Sequence, residues 1–186
     1  MDFNKLSSTP ITLDLGEYKL RPLQLSDAPA WYAYLSQSEV TRLTSYNIQS
    51  INDVTAMIEH YITGYAQKGS SRWALVRKDS DLLIGTCGYY WWDTGNSLAE
   101  LGYDLSQDYW GKNIMTAAVQ TVVKWGFETL EINRIQATVM VDNIGSARVL
   151  EKNGFQQEGI LREYKIARGQ PRDFWMFALL RREYQP

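Results

Sequence analysis

A loop that leads into a helix carries the first residues that could do chemistry. The segment Ser106 to Asn113 follows a strand-like stretch, Ala99 to Leu105, and precedes a helical pattern that begins near Ile114. The first turn of a helix presents N–H groups without intrahelical partners and the positive end of the helix dipole, and Lys112 adds a cation there. This combination suits a phosphate or pyrophosphate, although any strand-loop-helix unit shares the same backbone features.

A second polar segment, Val141 to Phe155, begins where another strand-like stretch ends. Asn143 and Ser146 stand at the start of its helical pattern, where short polar side chains accept hydrogen bonds from free N–H groups. Helix capping therefore explains both residues, and contact with a substrate is the functional alternative. The common nucleotide-binding glycine motifs are absent, since the sequence contains neither GxGxxG nor GxxxxGK[ST].

The chain contains one histidine, His60, and one cysteine, Cys87. A single cysteine excludes an intrachain disulfide, and a single histidine excludes His-rich zinc sites and HExxH metalloproteases, so we expect no metal site. His60 is the one residue that could serve in a Ser-His or Cys-His pair, but its place on a predicted helix is typical of an exposed or capping residue. Cys87 lies in a predicted strand and is expected to be buried and inert.

Hydrophobic periodicity predicts an alternating order of strands and helices. The predicted strands are Tyr18–Pro22, Trp73–Val76, Leu82–Trp92, Leu98–Leu105, Arg134–Val141, Phe155–Ile166 and Asp173–Leu180, the last two joined by a turn over Arg168–Pro171. The first predicted helix ends at about Ser36, and the second runs from Ser50 to near Gly69. The third begins near Ile114, and the fourth runs from Asn143 to Lys152. The fold class is therefore α/β, a mixed and mostly antiparallel central sheet with helices on both faces, in which the fourth and fifth strands are parallel or splayed.

Length and composition indicate one ordinary globular domain, residues 1–186, with 45% hydrophobic and 22% charged residues. A formal net charge of -2 gives no support for nucleic-acid binding. Residues 1–10 lack the apolar core of a secretory signal, and the apolar runs are too short to span a bilayer. We therefore expect a cytoplasmic protein that contacts neither nucleic acid nor membrane.

Two motifs together resemble a known family. The pairing of LGYDLSQDYWGKNIMTAAV with NRIQATVMVDNIGSARVLEKNGF resembles the GNAT acyl-CoA N-acetyltransferases, and most closely their RimJ/RimL-type branch, which acetylates the N-termini of ribosomal proteins. In that branch a strand ending in Gly-Tyr precedes a Trp-Gly-Lys-Gly loop and, later, an Asn-x-x-Ser…Glu-Lys-x-Gly-Phe helix. The second motif is the more specific, and the resemblance extends over nearly the whole chain, from LRPLQLSD to GQPRDFWMFALL.

The resemblance implies acetyl transfer from acetyl-CoA to a primary amine through a ternary complex, without a metal. Pantetheine would lie between the splayed strands and bond to the backbone of Leu101, Gly102, Tyr103, Asp104 and Leu105. The pyrophosphate would bind the N–H groups of Trp110, Gly111, Lys112, Asn113, Ile114 and Met115. Asn143 would hold the pantetheine amide or a catalytic water, and Ser146 would also contact acetyl-CoA.

Three positions depart from the superfamily pattern. Asp108 stands where the loop usually has Gln or Arg, and Asn113 replaces the second loop glycine. Asn tolerates left-handed backbone better than most residues, so the loop is expected to fold, with the side chain able to crowd the phosphate. The tyrosine that many relatives use as proton donor falls at Leu150, which cannot donate.

The family pattern implies three catalytic candidates. Glu100 lies on the strand beside the expected thioester, and Glu163 stands where the RimL-type pattern has an acidic residue; either is a candidate general base. Ser146 is the candidate proton donor to the departing thiolate, and backbone N–H groups near Leu101 to Tyr103 are expected to polarise the carbonyl. The structural alternative for each glutamate is an ion pair with an arginine such as Arg134 or Arg162.

The acceptor stays open between several amines. An α-amine has a pKa of about 8, whereas a lysine amine near 10.4 costs roughly 4.6 kcal/mol to deprotonate at neutral pH, so a protein N-terminus needs only a modest base. A polyamine, an amino acid or an antibiotic is the alternative acceptor, and a non-catalytic acyl-CoA-binding module is the alternative from another class.

Aromatic residues are the candidates for an acceptor groove. In the run from Tyr89 to Trp92, strand alternation places one pair in the core and leaves the other pair for a groove wall. Trp31, Tyr34 and Tyr46 would form the opposite wall, although core packing is favoured for most of these residues. The exposed final strand could pair across a homodimer.

Overall fold

The computed structural model describes Leu6 and residues 10–185. The strands are β1 (Leu13–Leu15), β2 (Tyr18–Pro22), β3 (Ser71–Arg77), β4 (Leu83–Asp93), β5 (Leu98–Leu105), β6 (Arg134–Met140), β7 (Gln156–Ala167) and β8 (Gln170–Leu180). The helices are α1 (Ala28–Leu35), α2 (Ser38–Thr41), α3 (Ile51–Ala66), α4 (Ile114–Glu128) and α5 (Ile144–Lys152). The strands form one eight-stranded sheet in the order β1-β2-β3-β4-β5-β6-β8-β7.

The pairing of β5 with β6 shapes the site. These two strands are parallel and pair over only three residues each, Leu98–Glu100 with Arg134–Gln136, whereas the other neighbouring strands are antiparallel. Helix α4 makes the crossover between them, as a parallel pair requires. Beyond Glu100 the strands separate, which confirms the predicted mixed sheet with a splay between its predicted fourth and fifth strands.

Helices cover both faces of this sheet, as predicted. On β3, Trp73 and Leu75 pack into the cluster that contains α4, while Ala74 and Val76 pack into the cluster that contains α1 and α3. Successive side chains of a strand point to opposite faces, so the two clusters lie on opposite sides of the sheet.

Two hairpins differ from the sequence prediction. β1 is a separate strand that pairs with β2, because Gly16 has a positive φ of 72° and allows a tight turn. Between β7 and β8 the turn contains only Arg168 and Gly169, with φ of 53° and 74°, as a type I′ hairpin requires. Gln170 and Pro171, which were predicted to belong to the turn, are the first residues of β8.

A β-bulge in β4 decides which aromatic side chains reach the site. The register shifts between Tyr89 and Trp91, so strict alternation fails there. Tyr89 and Trp92 are therefore the buried pair, and the consecutive residues Tyr90 and Trp91 line the cavity described below.

The single cysteine and the single histidine do not line the cavity described below. Cys87 is fully buried, and burial raises the pKa of its thiol to about 12, so it is unreactive at neutral pH. His60 is exposed on α3, beside the ring of Tyr61. None of the described helices is long and apolar enough to cross a membrane, and no group of three or more His, Cys, Asp or Glu among the described residues could hold a metal ion.

Candidate active site

A cavity of about 850 Å³ occupies the gap where β5 and β6 separate. Its central walls are β5 on one side, from Tyr103 to Leu105, and β6 on the other, from Thr138 to Met140. One end reaches the loop before α4 and the first turns of α4 and α5, and the other end is lined by aromatic side chains, namely Tyr46, Tyr90, Trp91, Tyr164 and Phe174. The cavity therefore has a polar helical end, a sheet-lined middle and an aromatic end.

The structure brings most of the residues expected to hold acetyl-CoA to this cavity. Those that line it are Tyr103, Asp104, Leu105, Trp110, Gly111, Asn113, Ile114, Met115, Asn143 and Ser146. Leu101 is instead buried in the core, and Gly102 lies against the ring of Tyr90. Lys112 turns away from the cavity, because its ammonium donates to Asp108 O at 2.8 Å and lies 5.3 Å from the centre of the Tyr109 ring.

The N-terminus of α4 has the features of an anion site. Gly111 and Asn113 have positive φ angles of 73° and 56°, and this left-handed backbone turns the chain into the helix. No side chain caps the start of α4, whereas at the start of α5 Asn143 Oδ1 accepts from Ser146 N. The first N–H groups of α4 therefore stay available for a phosphate or pyrophosphate.

The departure at Asn113 is explained by its backbone and its neighbour. Asn adopts the left-handed conformation more readily than other non-glycine residues, and its Oδ1 accepts from Lys152 Nζ at 2.8 Å. We expect Asn113→Ala to be less stable than Asn113→Gly by about 1 kcal/mol, because alanine is strained at this φ angle. Both variants lose the contact with Lys152, so equal midpoints in denaturant unfolding would contradict this explanation.

Glu100 is a buried carboxylate on the cavity wall. Its side chain is 4% exposed, and Glu100 Oε1 accepts from Thr138 Oγ1 at 3.2 Å. The ammonium of Lys165 lies 3.5 Å from the same oxygen. Among the described residues, the ion-pair partner of Glu100 is Lys165 and not an arginine, which was the partner expected in the structural alternative.

Glu163, the other candidate base, lies in a different setting. It is exposed and does not line the cavity. The backbone there forms a β-bulge between Leu161 and Lys165, in which Glu163 has a φ of 50° and its N–H donates to Asp173 Oδ1 at 2.8 Å. The bulge turns Tyr164 and Lys165, rather than Glu163, toward the cavity.

Ser146 is held by a tyrosine that sequence reasoning assigned only a backbone role. Tyr103 Oη lies 2.8 Å from Ser146 Oγ and donates to Ser146 O at 3.0 Å. Burial raises the pKa of Tyr103 well above its ordinary value, although the hydrogen bond with Ser146 acts in the opposite direction. The phenol thus stays protonated at neutral pH and supplies a hydroxyl beside Ser146, where Leu150 supplies none.

Asn143 already uses both ends of its amide. Its Oδ1 caps α5, and its Nδ2 donates to Leu43 O at 3.1 Å. Arg168 Nη2 donates to the neighbouring carbonyl of Arg42 at 2.9 Å. These bonds fix the segment after α2 against the cavity.

A buried polar cluster supports the aromatic end of the cavity. Arg72 Nη2 donates to Asp104 Oδ2 at 2.7 Å, and the two side chains are 0% and 1% exposed. Thr86 Oγ1 and Tyr46 Oη donate to the same oxygen at 2.7 and 3.2 Å, and Tyr34 Oη donates to the other. The Arg72 guanidinium also lies 5.0–5.8 Å from the ring centres of Trp31, Tyr61 and Tyr90. Of the predicted second groove wall, Trp31 and Tyr34 are buried and Tyr46 reaches the cavity.

Comparison with known proteins identifies this arrangement. The family described as the acetyltransferase (GNAT) domain matches residues 18–156, which include the gap between β5 and β6 and the starts of α4 and α5. The chain belongs to the GNAT family. The uncharacterized N-acetyltransferase p20 of Bacillus licheniformis is 39% identical over 176 residues, which are 93% of this chain and 98% of that protein. This GNAT protein is an acetyl-CoA-dependent N-acetyltransferase, as the sequence motifs predicted.

Solved structures share the GNAT fold. The ribosomal-protein-S5-alanine acetyltransferase from Vibrio fischeri has a TM-score of 0.83 at 22% identity, covering 95% of this chain and 100% of that one. The microcin C7 self-immunity acetyltransferase MccE, solved in complex with acetyl-CoA and AMP, has a TM-score of 0.79 at 21% identity, covering 89% of this chain and 93% of that one. These similarities confirm the predicted fold class.

Several cavity residues of the acetyltransferase were not singled out from the sequence. Thr138 had a signal, because alternation on β6 places Arg134, Gln136 and Thr138 on one face and leaves Ile135 and Ala137 for the core. Tyr164 and Lys165 had none, since the bulge that turns them toward the cavity breaks the alternation of β7.

Proposed function

We propose that this acetyltransferase moves the acetyl group of acetyl-CoA to the α-amine of a peptide or protein N-terminus, with Glu100 as the general base. One observation carries the proposal. A single cavity joins the buried carboxylate of Glu100 to the uncapped start of α4, through the gap between β5 and β6. Such a cavity suits an elongated donor with a phosphate at one end and a reactive thioester near the other.

The residues present fit acetyl-CoA, which supplies the acetyl group as a thioester when bound. The uncapped N–H groups of α4 would bind its pyrophosphate. The edge of β5 beyond Glu100, which has no pairing with β6 there, would bond to pantetheine, and N–H groups near Leu101 to Tyr103 would polarise the carbonyl. Asn143 would contribute indirectly, because its side chain caps α5 and orders the start of this helix beside the donor.

Glu100 would accept the proton that the amine loses on attack. It lines the cavity and is buried, so few waters compete for it, and its Oε1 is oriented by Thr138. An α-amine is partly neutral near pH 7, so one carboxylate is a sufficient base, acting directly or through a water. The ribosomal protein uS5-alanine N-acetyltransferase of Escherichia coli, which is 34% identical over 86 residues or 46% of this chain, supports an N-terminal acceptor.

Ser146 would donate a proton to the departing thiolate. Its Oγ lies within hydrogen-bond distance of Tyr103 Oη, so the serine hydroxyl is oriented by a second hydroxyl. The Tyr103 hydroxyl has one hydrogen, and when this hydrogen is donated to Ser146 Oγ instead of Ser146 O, the serine hydrogen is free to point into the cavity. This pair would do the work that a tyrosine at position 150 does in many relatives.

Thiol release from acetyl-CoA with a panel of amines tests the proposal. We expect turnover with a peptide that has a free N-terminus and one lysine. We expect none with the same peptide after its N-terminus has been acetylated. Faster turnover with spermidine or with an aminoglycoside would favour the small-molecule alternative. Absence of thiol release with every amine would overturn the proposed function.

A further inference from the structure

The β-bulge of β7 places a cation in the aromatic end of the cavity. Five residues of β7, from Leu161 to Lys165, lie opposite three residues of β8, from Phe174 to Arg172. Bulges turn side chains from their regular directions and are common beside active sites. Here the bulge brings Tyr164 and Lys165 to the cavity wall.

The ammonium of Lys165 retains donor capacity toward the cavity. It lies 5.1 and 5.6 Å from the ring centres of Tyr164 and Phe174 and donates to Thr138 Oγ1 at 3.1 Å. Its distance of 3.5 Å to Glu100 Oε1 exceeds the length of about 2.7–2.9 Å that is typical of charge-assisted hydrogen bonds. The side chain is 34% exposed, and an ammonium has three N–H donors. Lys165 can therefore form a shorter and stronger hydrogen bond with a carboxylate that enters the cavity.

Catalysis by Glu100 would itself create the need for such a partner. When Glu100 accepts a proton from the amine, it becomes neutral and Lys165 loses its counter-charge. The nearby rings and water compensate the ammonium only in part, so a partly buried lysine that loses its carboxylate is less stable than a paired one. An acceptor that brings its own carboxylate would keep the ammonium paired during this step.

We propose that the acceptor carries a carboxylate close to its amine, and that the ammonium of Lys165 binds this carboxylate. This inference rests on the proposed function, with Glu100 as base. If Glu100 and Lys165 hold the amine and the carboxylate by hydrogen bonds of about 2.8 Å, the two groups are no more than roughly 10 Å apart. The side chain of an acidic second residue of a peptide meets this limit. The α-carboxylate of a free amino acid, which is the small-molecule alternative to the proposed acceptor, meets it too.

The test compares matched acceptors on wild type and on Lys165→Met. Ala-Asp-Ala-amide and Ala-Asn-Ala-amide differ in one charge, and free alanine with alaninamide tests the α-carboxylate. Rates of thiol release are divided by the neutral fraction of each amine, from its titrated pKa. We expect wild type to prefer one acid over its amide by about tenfold or more, and the pair that shows the preference identifies the source of the carboxylate.

The selectivity ratio separates binding of the carboxylate from effects on Glu100 or on folding, because those effects apply equally to acid and amide. We expect Lys165→Met to reduce the ratio to near one and Lys165→Arg to retain part of it. Lys78→Met, which removes an exposed lysine paired with Asp14, should keep the wild-type ratio. Equal rates for acids and amides in wild type, or an unchanged ratio in Lys165→Met, would overturn this inference while leaving the proposed function intact. No thiol release with any acceptor would overturn both.

Discussion

Replacing Glu100 with glutamine is expected to lower kcat/KM by about 100- to 10,000-fold, the usual contribution of a general base. Glutamine preserves the shape of the side chain and keeps an oxygen for Thr138 Oγ1, but it cannot accept the proton of the amine. Steady-state rates of thiol release with a peptide that has a free N-terminus measure this loss.

Glu163→Gln is the matched control, since Glu163 is exposed outside the cavity lining. We expect wild-type kcat and an unchanged pH profile for this variant. Binding of acetyl-CoA, measured for both variants, shows whether the donor site is intact. If Glu163→Gln loses activity while Glu100→Gln retains it, the roles proposed for the two glutamates are reversed. If both retain wild-type kcat, neither is the base.

Replacing Arg72 with methionine is expected to lower the free energy of unfolding by about 3–5 kcal/mol, the cost of leaving a buried charge without its partner. The side chain of Asp104, which is 1% exposed, would lose its cationic partner and keep only hydroxyl donors. A domain has about 5–15 kcal/mol in total, so the loss should be evident in denaturant unfolding. Arg72→Met with Asp104→Asn should recover part of the stability, because the second change removes the unpaired charge.

Arg77→Met is the matched control on the same strand. Arg77 pairs with Asp79, and their side chains are 44% and 61% exposed, so water screens the pair and its loss should hardly move the midpoint. If Arg72→Met and Arg77→Met have the same midpoint, the cluster around Asp104 does not stabilise the fold. Both variants remove an arginine of β3 that pairs with an aspartate, so the difference between them measures the effect of burial together with the additional contacts of Arg72.

The parts of the site that depend on local sequence were predicted well. The loop from Ser106 to Asn113, the start of α4 at Ile114 and the cap of α5 at Asn143 each follow from turn and capping residues close together in the chain. Family motifs lie in these same segments. Both the fold class and the polar end of the cavity could therefore be predicted.

The acceptor end depended on features that local pattern does not show. A bulge in β4 makes Tyr90 and Trp91 neighbours on one wall. A bulge in β7 turns Lys165, instead of Glu163, toward the cavity. The pairing of Arg72 with Asp104 joins residues on different strands. Such contacts are set by tertiary packing, so side-chain alternation assigned the wrong faces or no role.

Calorimetric titration with acetyl-CoA tests most directly whether the gap between β5 and β6 receives the donor. We expect saturable heat with one molecule bound per chain. A rise in the melting temperature should accompany it, because a ligand at 100 times its Kd stabilises the native state by about 2.7 kcal/mol. A folded sample that gives no heat of binding and no rise in melting temperature would contradict the account.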